Sequence, residues 1–234
     1  MTMNEVATVK AVCLDLDGTL YSQPGLRKAV AVRLLLNLIV SPRKHCRALR
    51  IISVYRRTQE SLRGTVVGTD IAEAQLTLTC ELTGESREIV VKCINKWFEE
   101  APLPLLPRFM KPGLLEFLAE ARRRGIKLAV VSDYPARAKL SALGVSEYFD
   151  VIVCAQDPDV QRFKPDPTGL QVALRRLGVE KQDAVYVGDR ASVDGEAARR
   201  AGIRSAIIGR SSAKTAQLQV ACSDFRQLAR IILQ

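Results

Sequence analysis

The chain has 234 residues, of which 47% are apolar and 26% charged, and its formal net charge is +10. That mixture is the profile of a globular protein and excludes a disordered or fibrous one. The length suits one large domain, or one domain with a smaller insert.

Val9 to Leu14 is a continuous apolar run and reads as a short buried strand. Leu14-Asp15-Leu16-Asp17-Gly18-Thr19-Leu20 follows at once. Gly18 lets the chain turn away sharply, so Asp15 and Asp17 share the volume just past a strand end, where open α/β sheets bind their ligands. Two like charges that close need a cation or a shared proton. The pair therefore reads as a divalent metal site, a nucleophile beside an acid/base, or both. A calcium loop is a poor alternative, because the twelfth residue from Asp15 is Leu26 rather than Glu and a strand, not a helix, precedes. The bland alternative is a plain Asp-Gly turn.

Residues 21–105 have a different character. A basic, apolar-periodic stretch runs from Leu26 to Arg57, and a second set covers about Ile71 to Leu78 and Glu88 to Glu100. Val30, Leu34, Leu35 and Leu38 recur at helical spacing, as do Val90, Ile94, Trp97 and Phe98. Pro102, Pro104 and Pro107 mark a return linker. Ten Lys and Arg residues lie between Arg27 and Arg63. Such a cluster can steer anionic substrates, bind RNA or touch anionic lipid, or it can be no more than solvated helix faces. Aromatics at 5%, without a stacking pattern, disfavour nucleic acid. His45 is the sole histidine and reads as a surface imidazole.

From about residue 106, strands and helices alternate. Pro112-Gly113 opens a helix to Arg124, stopped at Gly125. Strand Ile126 to Val131 ends in Ser132-Asp133, and a helix spans Pro135 to Leu143. Strand Val151 to Cys154 comes next, and Phe163-Lys164-Pro165-Asp166-Pro167 stands before a helix from Thr168 to Leu177. Strand Ala184 to Val187 ends in Gly188-Asp189, and Asp194 opens a helix to Ala201. Ser223 or Asp224 caps a last helix through Leu233. The pattern predicts an α/β fold, a doubly wound parallel sheet with helices on both faces.

Asp15, Asp17, Ser132, Lys164, Asp189 and Asp194 all fall at a strand end or a helix start, which solvated loops do not explain. Singly, each has a plainer role: Ser132 or Asp194 as a helix cap, Lys164 as a solvated lysine. Tyr21 lines the entrance or packs, and Asp133 is placed outside the site. The six cysteines, at positions 13, 46, 80, 93, 154 and 222, form no C-x-x-C pair. That argues against zinc and suits a reducing, cytoplasmic setting. No basic-then-apolar signal opens the sequence. Leu34 to Val40 is interrupted by Asn37 and is too short to span a bilayer.

The chain resembles the haloacid dehalogenase superfamily of phosphohydrolases. D-L-D-G-T-L is similar to that family's first motif, V-V-S-D with Ser132 to the second, K-P-D-P with Lys164 to the third, and G-D-R-A-S-V-D with Asp189 and Asp194 to the fourth. The resemblance covers about residues 9–20 and 108–210. It implies a Rossmann-like core from 1–20 and 106–234, with 21–105 as a mostly helical cap. It also implies a Mg2+-dependent phosphatase acting on a small anionic phosphorylated metabolite, such as a sugar phosphate. In that scheme Asp15 is the nucleophile and forms an aspartyl-phosphate, and Asp17 is the acid/base. Asp15, Asp189 and the Asp17 carbonyl oxygen hold the metal. Thr19, Ser132 and Lys164 bind the phosphoryl group, and Asp194 orients the metal shell or Lys164. Hinges near Leu20 to Gly25 and Pro102 to Arg108 would let the cap close as a lid. A sugar phosphomutase of the same superfamily, or a non-catalytic phosphosugar- or protein-binding module, are the alternatives.

Overall fold

A computed structural model describes residues 9–38, 42–65, 68, 70–209 and 219–233. Six parallel strands form one sheet: β1 (Ala11–Leu14), β2 (Lys127–Ser132), β3 (Val151–Cys154), β4 (Ala184–Gly188), β5 (Arg204–Ile208) and β6 (Gln219–Cys222), in the spatial order β3-β2-β1-β4-β5-β6. The order reverses at β1, which pairs with β2 on one side and β4 on the other. Leu14 is in register with both Val130 and Val187, so the carboxyl ends of the three central strands lie side by side. That is the topological switch point at which such sheets take their ligands.

All four β1 residues are buried, as expected of a strand covered on both faces. Alternation sends Val12 and Leu14 into one core and Ala11 and Cys13 into the other. The first core is closed by α5 (Leu114–Arg123), α6 (Arg137–Leu143) and α9 (Phe225–Ile232), with Phe117 and Phe225 ring centroids 5.4 Å apart. The second is closed by α7 (Thr168–Leu177) and α8 (Glu196–Ala201) through Leu170, Ala173, Leu174 and Ala197.

Between β1 and β2 lie α1 (Gln23–Leu38), α2 (Pro42–Leu62), α3 (Ile71–Thr83) and α4 (Arg87–Ile94), the last running into a π-helical turn, Asn95–Glu100. Helix α2 packs on α1, α3 and α4. Ile51 and Tyr55 meet Val90 and Ile94, and Leu34 meets Ala48 and Ile52. The two connections to the sheet run together. The Ser22 amide donates to the Phe109 carbonyl at 2.8 Å, and the Lys111 amide to the Leu20 carbonyl at 2.9 Å.

The structure departs from the sequence-based expectations in three places. The single periodic stretch Leu26 to Arg57 is two helices, the second opening at Pro42, where proline suits a first helical turn. Ile39 and Val40 lie outside the described residues. Strands β5 and β6 were not expected individually. Asp194 sits inside a π-helical segment, Ala191–Gly195, rather than at a helix N-cap. Among the described residues no helix is long and apolar enough to cross a membrane.

Candidate active site

Asp15 leaves the end of β1 with its amide donating to the Val187 carbonyl at 2.8 Å. Its buried carboxylate is gripped at both oxygens. The Thr19 hydroxyl donates to Oδ2 at 2.8 Å, and Lys164 Nζ to Oδ1 at 2.5 Å. Lys164 comes from the segment before α7 and is also buried. It donates to Asp194 Oδ1 at 2.7 Å and to the Tyr186 hydroxyl at 3.0 Å, and that hydroxyl donates in turn to Asp194 Oδ1 at 2.9 Å. The other Asp194 oxygen accepts the Arg190 amide at 3.0 Å and the Asp189 amide at 3.3 Å. Asp194 is thus the brace that fixes both Lys164 and the backbone carrying Asp189.

Two glycines make this packing possible. A Cβ on Gly18, whose φ is +105°, would overlap the Asp189 carboxylate, and one on Gly188 would overlap Asp194. Only glycine fits the Gly18 backbone conformation, and at Gly188 the lack of a side chain permits the close approach of Asp194.

The charges do not balance within the cluster. Burial, with Asp194 and Asp189 nearby, pushes the Asp15 carboxyl above its ordinary range despite Lys164. Burial and Asp194 push Asp189 up to about 6. Burial alone would raise Asp194 too, but Lys164 outweighs it and holds that group low. Carboxylate oxygens of Asp15, Asp189 and Asp194 all lie within 4.8 Å of one another. An all-oxygen donor set with uncompensated negative charge fits a hard divalent cation.

Asp17 faces a different environment. It accepts the Tyr21 hydroxyl and, at 2.9 and 3.0 Å on its two oxygens, Lys139 Nζ from α6. Burial would raise its pKa, but Lys139 and Tyr21 reverse that and hold it below the usual carboxylate range. Two carboxylates two residues apart therefore have distinct partners.

Ser132 is buried, and its hydroxyl accepts the Tyr134 amide at 3.2 Å. Neither Ser132 nor Thr19 lines the cavity above the site, whereas Asp15, Asp17, Lys164, Asp189 and Asp194 do. Asp133, set aside on the sequence, also lines it. Its Oδ1 accepts the Lys164 amide at 3.1 Å, and its Oδ2 accepts Gln59 Nε2 at 3.0 Å and Arg63 Nη1 at 2.8 Å. The cavity measures about 170 Å³ and its far wall comes from α1, α2 and the π-helical turn, with Arg27, Arg56, Trp97 and Phe98. That is below the ~300–1,000 Å³ of drug-sized ligand sites and suits a small molecule. Lys139 and Tyr186 were missed on the sequence, and Arg56 was counted there only as one of ten clustered basic residues. They lie outside the motifs, and chain topology alone brings them here. His45 packs edge-on against Trp97, ring centroids 5.8 Å apart.

The chain is 29% identical over 221 residues to the phosphoglycolate phosphatase of Escherichia coli K12, covering 87% of this chain and 82% of that one. It is 32% identical over 201 residues to the phosphoglycolate phosphatase of Rhodospirillum rubrum, covering 83% and 77%. Among solved structures it is similar to a HAD phosphatase from Thermococcus onnurineus, with a TM-score of 0.60, 25% identity, and 95% and 97% of the two chains covered. It shares its fold with a 2-haloacid dehalogenase from Pseudomonas syringae at a TM-score of 0.67, 23% identity, and 97% and 99% coverage. A model of the haloacid dehalogenase-like hydrolases matches residues 9–202, and the chain belongs to that family.

Proposed function

We propose that this hydrolase cleaves a small phosphate monoester through an aspartyl-phosphate on Asp15, with Mg2+ held by Asp15, Asp189 and the Asp17 carbonyl oxygen. One observation carries the reading: Asp15 is fixed by Lys164 and Thr19 inside a carboxylate cluster, while Asp17 is turned to separate partners. Two carboxyl groups with divergent environments suit a nucleophile and an acid/base.

An Asp15 oxygen attacks phosphorus as the bond to the leaving oxygen breaks, and the Asp17 carboxyl gives that oxygen its proton. Water then attacks the phosphorus of the aspartyl-phosphate, and its proton passes to the Asp17 carboxylate. The bond to Asp15 breaks, which releases inorganic phosphate, frees the Asp15 carboxylate and leaves Asp17 protonated for the next leaving group. Lys164 supplies positive charge to the transferring group. Thr19 holds Asp15 in place, and Ser132, buried off the cavity, holds the Tyr134 amide just past β2 rather than reaching the phosphoryl group. When bound, the divalent ion would offset the repulsion between the Asp15 carboxylate and the ester dianion.

In this reading residues 1–20 and 106–234 are the catalytic core, and 21–105 are a lid over the bound ester. The paired connections at Leu20 to Ser22 and Phe109 to Lys111 support the lid, as do the Glu60–Arg190 contact at 2.9 Å and the Arg63–Asp133 contact at 2.8 Å. Six unpaired cysteines support a reducing, cytoplasmic setting. The test is a screen of phosphate monoesters with Mg2+, scored by kcat/KM. Phosphate release that chelator abolishes supports the proposal, and no release from any ester opposes it.

A further inference from the structure

The charged side chains around the cavity pair off unequally. Six carboxylates and six cations line it. Lys164 is paired with Asp15 and Asp194, and Lys139 with Asp17. Arg63 is paired with Asp133 and Glu60, and Arg190 with Glu60. Two cations are left over, Arg27 and Arg56, neither of which meets a carboxylate among the described residues. On the acidic side, among the described residues, Asp189 alone is without an ion-pair partner, and it belongs to the cluster that suits a metal.

Arg56 is the more telling of the two. Its guanidinium sits 5.5 Å from the centroid of the Phe98 ring, and its Nε is buried with no hydrogen-bond partner among the described residues. Burial and the neighbouring Arg27 push its pKa down. Placing two like charges together, one of them desolvated and short of an acceptor, is unfavourable in the empty cavity. The cost is recovered if an anion binds there. Phe98 is itself fixed by edge-on contacts with Tyr55 at 5.4 Å and Tyr134 at 4.9 Å. The same ring lies 5.8 Å from Lys139 Nζ, so Phe98 contacts both Arg56 and the lysine that pairs with Asp17.

We infer that Arg56, with Arg27 beside it, forms a subsite for a second oxyanion at the end of the substrate that is not transferred. The substrate class is then a short phosphate monoester whose leaving group carries a carboxylate or a second phosphate. Arginine suits either oxyanion because its planar donors bind in a fork. This inference rests on the phosphatase reading above and narrows its substrate.

The test compares four short esters with Mg2+: ethyl phosphate, phosphoethanolamine, 2-phosphoglycolate and ethylene glycol bisphosphate. They differ mainly in the charge of the tail. The parent enzyme should favour one of the two anionic tails over ethyl phosphate by about tenfold or more in kcat/KM, and which one it favours separates carboxylate from phosphate. In Arg56→Met that ratio should fall by about tenfold, and in Arg56→Glu phosphoethanolamine should overtake 2-phosphoglycolate. A parent that treats neutral and anionic tails alike overturns the subsite while leaving the phosphatase reading standing. So does an Arg56→Met enzyme with an unaltered ratio. If either Arg56 variant does not fold, the parent ratio decides, with Arg27→Met as the second variant. If the parent releases phosphate from none of the four esters, that counts against the phosphatase reading, which the wider screen decides. Calorimetric binding of the same esters to the parent then judges the subsite by the same ratio.

Discussion

Lys139 Nζ reaches both carboxylate oxygens of Asp17, at 2.9 and 3.0 Å, from a helix 122 residues away along the chain. The lysine side chain is 5% exposed and the aspartate 16%, so the pair is largely shielded from water. It sets the Asp17 carboxylate on partners other than Lys164, and it ties α6 to the loop that follows β1.

Replacing Lys139 by Met leaves that anion without its counter-charge. Breaking one side of a buried pair costs about 3 kcal/mol of stability, which a urea titration reads. The Asp17 pKa should rise, because burial is then unopposed, so the acidic limb of kcat should move to higher pH. We expect kcat itself to fall roughly 10- to 100-fold, with partial rescue by Lys139→Arg. An unaltered pH profile with lowered stability would leave Lys139 a structural role only.

The carboxylate cluster of Asp15, Asp189 and Asp194 makes a second expectation, about pH. Asp189 is pushed up to about 6 by burial and Asp194, and Asp15 is pushed up as well. Their ordinary value is ~3.9, so above pH ~5 the unfolded chain has shed protons that the metal-free folded chain still holds. Unfolding then releases protons, and stability falls as pH rises through about 6. In chelator, the urea midpoint should drop between pH ~5 and pH ~7. Added Mg2+, which needs the same oxygens deprotonated, should stabilise more at the higher pH. A midpoint that rises with pH in chelator, or a Mg2+ effect independent of pH, contradicts this.

Asp133 ties the end of α2 to the segment that carries Lys164. It joins Gln59 and Arg63 of the α2 end to the Lys164 backbone. In Asp133→Ala, amide exchange over Pro42–Leu62 should speed up while β1 and β4 stay protected. KM should rise more than kcat falls. Uniform loss of protection would mean that Asp133 supports the core and not the docking of the lid.

Much of this was legible in the sequence because it rests on local rules. Short apolar runs that end in Asp15, Ser132 and Asp189 fixed the central strands and the carboxyl edge where function gathers. The peripheral strands were less legible. Arg204–Ile208 and Gln219–Cys222 carry no motif, and both open on polar residues that shorten the apolar run. Helical periodicity carried on through residues 26–57 and hid the division at Pro42. Lys139 sits beside Leu140 and Leu143 on an otherwise ordinary helix, and nothing in its neighbours marks it. Its role comes from β1 and β2 being adjacent, which brings α6 to Asp17. Arg56 looked like one of ten basic residues. Only packing on Phe98 and the lack of an acidic partner set it apart.

The covalent role of Asp15 is the centre of the account, and one measurement reaches it directly. Asp17→Asn, mixed with an aryl phosphate and Mg2+ and quenched rapidly in acid, should accumulate an intermediate. A good leaving group spares the first proton transfer, while the second step still needs the missing base. Mass spectrometry of the digested protein should place one phosphoryl group on the peptide that contains Asp15, and Asp15→Asn should carry none. Steady phosphate release by Asp17→Asn at the parent's rate, with no phosphorylated Asp15 at any quench time, would contradict the account.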